Sequence, residues 1–432
     1  MSERVLMIAF HYPPYGGSSG SRRTLAFSSY LPRHGWEPIV LTVNTRAYER
    51  VNADEVGAAP RGVSVVRAFA LDTARHLAVR GRYVSAFALP DRWRTWIPFA
   101  VSAGMRIIRR YRPSLIWSTY PIASAHVIGA RLAERSGLPW VADMRDPLVE
   151  TDPFTGVLYP RDPALRQARL DVEGEVMRRS SRVVFCTNGA RSICIERYGE
   201  EVARRFAIIP NGYDEEIVQA AERALPPEPS GSAAGFRLLH SGTVYPGDDR
   251  GPGPLFGAIA RLRDLGELPM GFRLVLRASG YHAEMSQLIA HSGVQDLVEL
   301  PGPLPYQQAL QEMLRADGLL LLQGSASNPA IPAKLYEYLR ARRPMLALVH
   351  PAGDSASLLR QLEASIIAPL DDQQQITVAL GEFLRRCAAG TAPLVRREVA
   401  ARFSREAQAA DLAELLREVV AQPRQQALAL GP

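Results

Sequence analysis

GLLLLQGSASNPAIPAKLYEYLRARRP, residues 318–344, holds the pattern that decides the fold. Gly318 to Leu322 is an uninterrupted apolar run, which reads as a strand buried on both faces, the kind that parallel sheets require. Gln323 to Pro332 is filled with Ser, Gly, Asn and Pro, the composition of a long turn. A helix is predicted from near Ala333, apolar at Leu335, Tyr336 and Leu339. Strand, turn and helix in this order make the repeating unit of an open α/β sheet.

The same alternation extends in both directions. Strands are predicted at Val5 to Ala9, Pro38 to Thr42, Val63 to Arg67, Leu115 to Ser118, Trp140 to Asp143, Arg182 to Cys186 and Phe206 to Ile209. After a Pro-, Gly-, Ser- and Ala-rich stretch they resume at Phe236 to Ser241, Phe272 to Leu276, Val298 to Leu300, Gly318 to Leu322 and Met345 to Val349. Two Rossmann-like, doubly wound parallel-sheet domains are therefore expected, facing each other across a cleft, as 432 residues exceed one ordinary core. The predicted division is 1–223, a linker at 224–235, 236–401, and a helical tail at 402–432 that packs back on the first domain.

Composition excludes several classes. An apolar run of only Val5 to Phe10 near the start is far short of the roughly 20 residues of a membrane helix, so it reads as a buried first strand. Cys186, Cys194 and Cys387 have neither metal-ligand spacing nor an even disulfide count, which fits a reducing cytoplasm. The formal charge of +7 suits anionic partners, but no nucleic-acid-binding motif accompanies it, so nucleic acid is not an expected partner.

Open parallel sheets bind ligands beyond the carboxyl ends of their strands, where helix N-termini attract anions. The first such loop is HYPPYGGSSGSRR, His11 to Arg23, in which Gly16 and Gly17 allow close backbone approach. GGSSG is not the dinucleotide spacing GxGxxG, Thr42 to Asn44 lacks a ribose-binding carboxylate, and no P-loop ending follows. In the second domain HSGTVYPGDDRG, His240 to Gly251, offers Gly242 and Arg250, whose planar fork of donors suits a phosphate. Lys334 falls in the first turn of its helix, where a cation opposes the macrodipole unless an anion is bound there. It is also the only lysine among 51 basic residues, which marks it as a place where a compact ammonium is needed. Glu337, one turn on, is a candidate acceptor for sugar or ribose hydroxyls, or a salt-bridge partner of Arg340 or Arg343.

These loops, with ADMRDP at 142–147 and IIPNGYD at 208–214, resemble the GT-B fold and, more closely, glycosyltransferase family 4 of bacterial cell-surface polysaccharide assembly. The resemblance implies a retaining hexosyltransferase that moves sugar from a nucleotide-sugar to a glycan or lipid-linked acceptor, with no metal and no bound cofactor. It implies a donor-binding set of Gly16, Gly17, Gly242, Thr243, Arg250, Ser325, Lys334, Leu335 and Glu337. Arg250, Lys334 and Asp146 are the candidate catalytic groups, and Arg145, Asp146 and His11 the candidates on the acceptor side. His126, an isolated histidine, reads as structural or solvated. Thr243 stands where many relatives carry arginine, and Pro329 where many carry a first glutamate. These departures leave a non-catalytic sugar-nucleotide-binding scaffold and a GT-B nucleotide-sugar epimerase as alternatives.

From Arg75 to Arg112 nine arginines face a single acid, Asp91, interleaved with Tyr83, Phe87, Trp93, Trp96, Phe99 and Tyr111. This mixture suits either peripheral contact with an anionic inner membrane or a solvated basic face over core aromatics.

Overall fold

The computed structural model describes residues 2–16, 19–52, 60, 62–151, 156–225, 235–245 and 251–429, apart from the side chains of residues 19, 20 and 422–429. Fifteen strands are described. The first nine are β1 (Glu3–Ile8), β2 (Trp36–Val43), β3 (Ser64–Ala68), β4 (Leu115–Thr119), β5 (Trp140–Arg145), β6 (Glu150–Thr151), β7 (Leu158–Tyr159), β8 (Arg182–Phe185) and β9 (Phe206–Ile208). The others are β10 (Arg237–Ser241), β11 (Arg273–Arg277), β12 (Val298–Glu299), β13 (Gly318–Leu322), β14 (Met345–Leu348) and β15 (Ile366–Ala368). Two fully parallel sheets result, ordered β3-β2-β1-β4-β5-β8-β9 and β12-β11-β10-β13-β14-β15, while β6 and β7 form a small antiparallel pair. In each large sheet the order reverses beside its first strand, between β1 and β4 and between β10 and β13, which are the topological switch points of doubly wound sheets.

Alternate residues of each central strand enter opposite layers, as pleating requires. Leu6 and Ile8 of β1 pack with Trp96, Ile128 and Leu132, whereas Val5 and Met7 pack with Phe27, Leu412 and Leu416. In the second sheet Leu319 and Leu321 of β13 join Leu335 and Leu339, and Leu320 joins Phe256 and Phe383. Burial on both faces explains the near-continuous Val, Ile and Leu runs.

The chain forms two compact units, residues Met1–Asn211 with Arg405–Pro432, and Gly212–Ser404. Residues 212–223, which the linker composition of 224–235 assigns to the first domain, pack in the second unit. There Arg340 pairs with Glu215 at 2.7 Å and Glu222 at 2.8 Å, and Val218 and Ala221 enter the core beside Leu310. The division between the units falls between Asn211 and Gly212 instead; residues 226–234 lie outside those described. The last helix, Arg405–Ala429, lies in the first unit, where Trp36 Nε1 donates to the Ala413 carbonyl at 3.2 Å and Arg33 pairs with Glu406 at 2.7 Å.

One buried ion pair locks the carboxyl ends of the first sheet. Arg23 donates through Nε and Nη2 to Asp143 at 3.0 and 2.9 Å, and its remaining donors reach the carbonyls of Pro210 and Ile209 at 2.8 and 3.0 Å. Burial alone would lower the guanidinium pKa, but the Asp143 carboxylate holds it above its ordinary value. All five tryptophans, at positions 36, 93, 96, 117 and 140, lie in this unit, so their fluorescence follows it alone. Arg23→Ala strands Asp143 as an uncompensated buried charge and is expected to lower the unit's stability in urea by about 3–5 kcal/mol. A fluorescence transition unchanged from wild type would show that Asp143 does not depend on Arg23.

Candidate functional site in the second unit

The switch point between β10 and β13 is bordered by a hollow of about 420 Å³, lined among others by Gly242, Thr243, Val244, Tyr245, Gln323, Ser327 and Lys334. Gln323 follows β13 directly and shapes one wall. Its side-chain amide donates to the carbonyls of Ser327 and Ala330 at 2.7 and 2.8 Å and accepts from Ser355 Oγ at 2.5 Å. These bonds hold the loop that delivers the chain to the helix Ala333–Ala341, with Lys334 at its second position. Opposite, Gly242 has φ +119°, a conformation that side chains resist, and a Cβ there would lie 2.8 Å from Lys334 Nζ. The backbone conformation therefore favours glycine, and a Cβ would push the ammonium from its place.

Lys334 Nζ lies 3.1 Å from Nε2 of His240, the fourth residue of β10. His240 is fully buried, and its Nδ1 lies 2.9 Å from the carbonyl oxygen of Leu320 on the neighbouring strand. A carbonyl only accepts, so this distance assigns the ring proton to Nδ1 and leaves the Nε2 lone pair for the ammonium. Burial, and after it the Lys334 charge, push the imidazole down to about 3, so it is neutral at pH 7. Burial also pulls Lys334 down to about 8, partly opposed by Glu337. With 10.5 as the ordinary value, the unfolded chain holds a proton between pH 8 and 10.5 that the folded one lacks. Stability from this group therefore rises with pH across that window, and at neutral pH the charged lysine strains the fold until an anion joins it.

Lys334, Gly242 and Thr243 thus meet at one hollow. Glu337 is one turn along the helix and accepts from Tyr306 Oη at 2.6 Å, while Tyr338 Oη accepts from the Ser241 amide at 2.9 Å. Ser325 opens the short turn Ser325–Ser327, whose last residue lines the hollow. Leu335 has its side chain wholly in the core and its amide bonded to the Pro332 carbonyl, so helical periodicity, not the hollow, accounts for it. Arg250 and Gly17 lie outside the described residues, and Gly16, in the first unit, donates its amide to the Arg50 carbonyl at 3.1 Å. Two site residues escaped sequence reading. His240 looks like strand core until sheet order places β13 beside it, and Gln323 looks like any polar residue after a strand.

In the first unit His11 and Arg145 follow β1 and end β5, near the other switch point. Arg145 has φ +63° at the point where β5 and β8 slip register, and its Nη1 reaches the Tyr120 carbonyl at 3.4 Å. His11 stacks on Tyr15 with centroids 4.0 Å apart, and burial, then Arg145, push it down to about 3. Burial raises Asp146 against the pull of Arg145 and Arg23. His11 Nδ1 and Arg145 Nε are buried without a hydrogen-bond partner. Asp143 is occupied by Arg23, and His126 is fully buried with Nδ1 2.9 Å from Ser118 Oγ. Among the described residues no group of three or more His, Cys, Asp or Glu is placed to hold a metal ion.

Residues 19–212 match the glycosyl transferase 4-like domain family. Sucrose-phosphate synthase from Thermosynechococcus elongatus is 15% identical, with 97% of this chain and 100% of that one covered at a TM-score of 0.66. Anabaena HepE in complex with UDP-glucose is 15% identical, with 96% and 100% covered at 0.60. A glycosyltransferase from Rickettsia africae is 11% identical, with 97% and 99% covered at 0.62. The chain has the GT-B glycosyltransferase fold. No curated protein sequence matches it. Within the GT-B fold the hollow beside β10 and β13 belongs to the second sheet, at the edge where doubly wound folds take ligands.

A single lysine gives a direct test of the site's electrostatics. Protein labelled with 13C at lysine Cε is expected to show one side-chain resonance titrating near pH 8, and addition of a nucleoside diphosphate should move it upward. Titration near 10.5, unmoved by ligand, would place Lys334 in solvent.

Proposed function

We propose that the protein transfers a hexose-type sugar from a nucleotide-sugar to an acceptor in cell-surface glycan or glycolipid assembly, retaining anomeric configuration and using no metal. The observation that carries this reading is a half-buried ammonium, hydrogen-bonded to no carboxylate among the described residues, facing a hollow at the switch point of the second sheet. Lys334 is suited to the donor diphosphate, with Arg250 and the first amides of its helix as further groups. Glu337 is suited to hydroxyls of ribose or sugar, and Gly16 and Gly17 to a loop that covers the donor phosphates and the acceptor side. That GT-B proteins of similar architecture include one in complex with UDP-glucose supports a nucleotide-sugar as ligand.

In the transfer step the bond between anomeric carbon and phosphate oxygen breaks as the acceptor oxygen bonds the same face of that carbon. The acceptor's proton passes to the departing phosphate. Negative charge grows on the leaving diphosphate, and an ammonium held in place stabilises it more in the transition state than in the ground state. Asp146, Arg145 and His11 form the proposed acceptor side. His11 Nδ1 suits a hydroxyl donor because the ring is neutral at pH 7.

A lipid-linked acceptor at the anionic inner face of the cytoplasmic membrane agrees with the surface of residues 77–87. Val79 is 75% exposed and Val84 63%, with Leu77, Tyr83 and Phe87 also exposed among Arg75, Arg80, Arg82 and Arg94. Thr73 Oγ1 and Arg94 Nη1 anchor this segment through the carbonyls of Phe87 and Ala86 at 2.7 and 2.6 Å. No described helix is long and apolar enough to cross a membrane.

A panel of nucleotide-sugars, assayed with lipid extract in anionic or neutral vesicles, tests the reading. Nucleoside diphosphate release that needs extract and is strongest with anionic vesicles is expected. Lys334→Met should weaken donor binding roughly 10- to 100-fold, the worth of a hydrogen bond to a charged group, with no loss of thermal stability, since the buried charge disfavours the free fold. Binding without turnover would favour the scaffold, and a donor whose sugar is inverted at one carbon would favour the epimerase.

A further inference from the structure

His240 lies beneath the only ammonium side chain of the protein, and three features fix their relation. The imidazole is wholly buried in β10, its Nδ1 is tied to the Leu320 carbonyl of β13, and its Nε2 points at Lys334 Nζ 3.1 Å away. The backbone at Gly242 closes the side, where even a methyl group would collide with the ammonium. An imidazole so held cannot turn away, because rotation would leave both the Leu320 carbonyl and its own nitrogen unsatisfied in the interior.

We infer that His240 is a positioning residue for Lys334: its Nε2 lone pair directs the ammonium over the hollow without cancelling its charge. A carboxylate at the same place would direct it equally well but would form an ion pair, and the net positive charge offered to a diphosphate would vanish. A neutral acceptor gives direction and leaves the charge to the ligand. Among the described residues, Lys334 is faced by His240 from β10 and by Glu337 from its own helix. Glu337 is hydrogen-bonded to Tyr306, and the neighbouring Tyr338 hydroxyl is held by the Ser241 amide. From β13 the ring meets the Leu320 carbonyl, which does not titrate. The inference rests on the proposed donor site and assigns that site its buried support.

Binding of UDP and of pyrophosphate, measured from pH 6 to 10 with the lysine resonance followed in parallel, separates positioning from mere packing. Affinity of the wild type is expected to fall as pH rises through about 8, where free Lys334 loses its proton. His240→Phe keeps the ring volume and removes the acceptor. About tenfold weaker binding at pH 7 is expected, together with a lower lysine pKa, because the charged form loses the bond that favours it. His240→Gln, which keeps an acceptor within reach, should recover much of both.

Wild-type affinity and an unchanged lysine titration in His240→Phe, with binding lost in Lys334→Met, would overturn the inference and leave the donor site standing. Wild-type affinity in Lys334→Met as well would overturn the donor site itself. Should His240→Phe fail to fold, 15N spectra of the wild-type imidazole decide the matter: a proton on Nδ1 and a bare Nε2 are required, and a proton on Nε2 contradicts the inference.

Discussion

A positive charge held out of water at the carboxyl edge of a parallel sheet is the constraint on which the second unit turns. Lys334 enters a helix at the end where the backbone dipole already repels cations, and burial draws its pKa down to about 8. Its observed partner there is an uncharged ring, 3.1 Å away. The helix end and burial disfavour the ammonium in the free protein, the ring accepts its hydrogen bond without neutralising it, and two phosphates would supply the missing negative charge. The surrounding sequence serves the same arrangement: Gly242 clears space, Gln323 fixes the opposite loop, and Tyr338 ties the helix back to β10.

The first unit handles charge in the opposite manner. Arg23 and Asp143 neutralise one another, the carboxylate accepting also from Thr119, and the arginine spends its other donors on carbonyls at 209 and 210, where the chain leaves this unit. Such a pair contributes a unique arrangement of strand ends more than net stability. Two residues beyond Asp143, Arg145 sits in a left-handed conformation at a register slip. The Arg145 charge acts both on His11 and on Asp146, at a sheet edge of the kind where ligands collect.

Much of this architecture was legible because burial on two faces writes itself into composition. Gly318–Leu322 is a strand over the predicted residues, and the helix after it begins at Ala333, because five apolar residues, a Pro- and Ser-rich turn and an amphipathic run are each local signals. The short edge strand Ile366–Ala368 was not predicted. His240 was illegible for a different reason. Its partners, Leu320 and Lys334, are 80 and 94 residues away, and only the order β10-β13 brings them together. Arg23 shows the converse, since a basic residue after a glycine loop suggests a phosphate ligand, yet it is 1% exposed and belongs to Asp143. Local pattern reveals where a ligand edge lies; which cations remain available there depends on long-range pairing.

A crystal structure of the protein with bound UDP addresses the central claim most directly. The account requires diphosphate oxygens in the hollow beside Gly242, within about 3 Å of Lys334 Nζ, with that nitrogen still on His240 Nε2. A diphosphate seated elsewhere, with Lys334 facing only water, would contradict it.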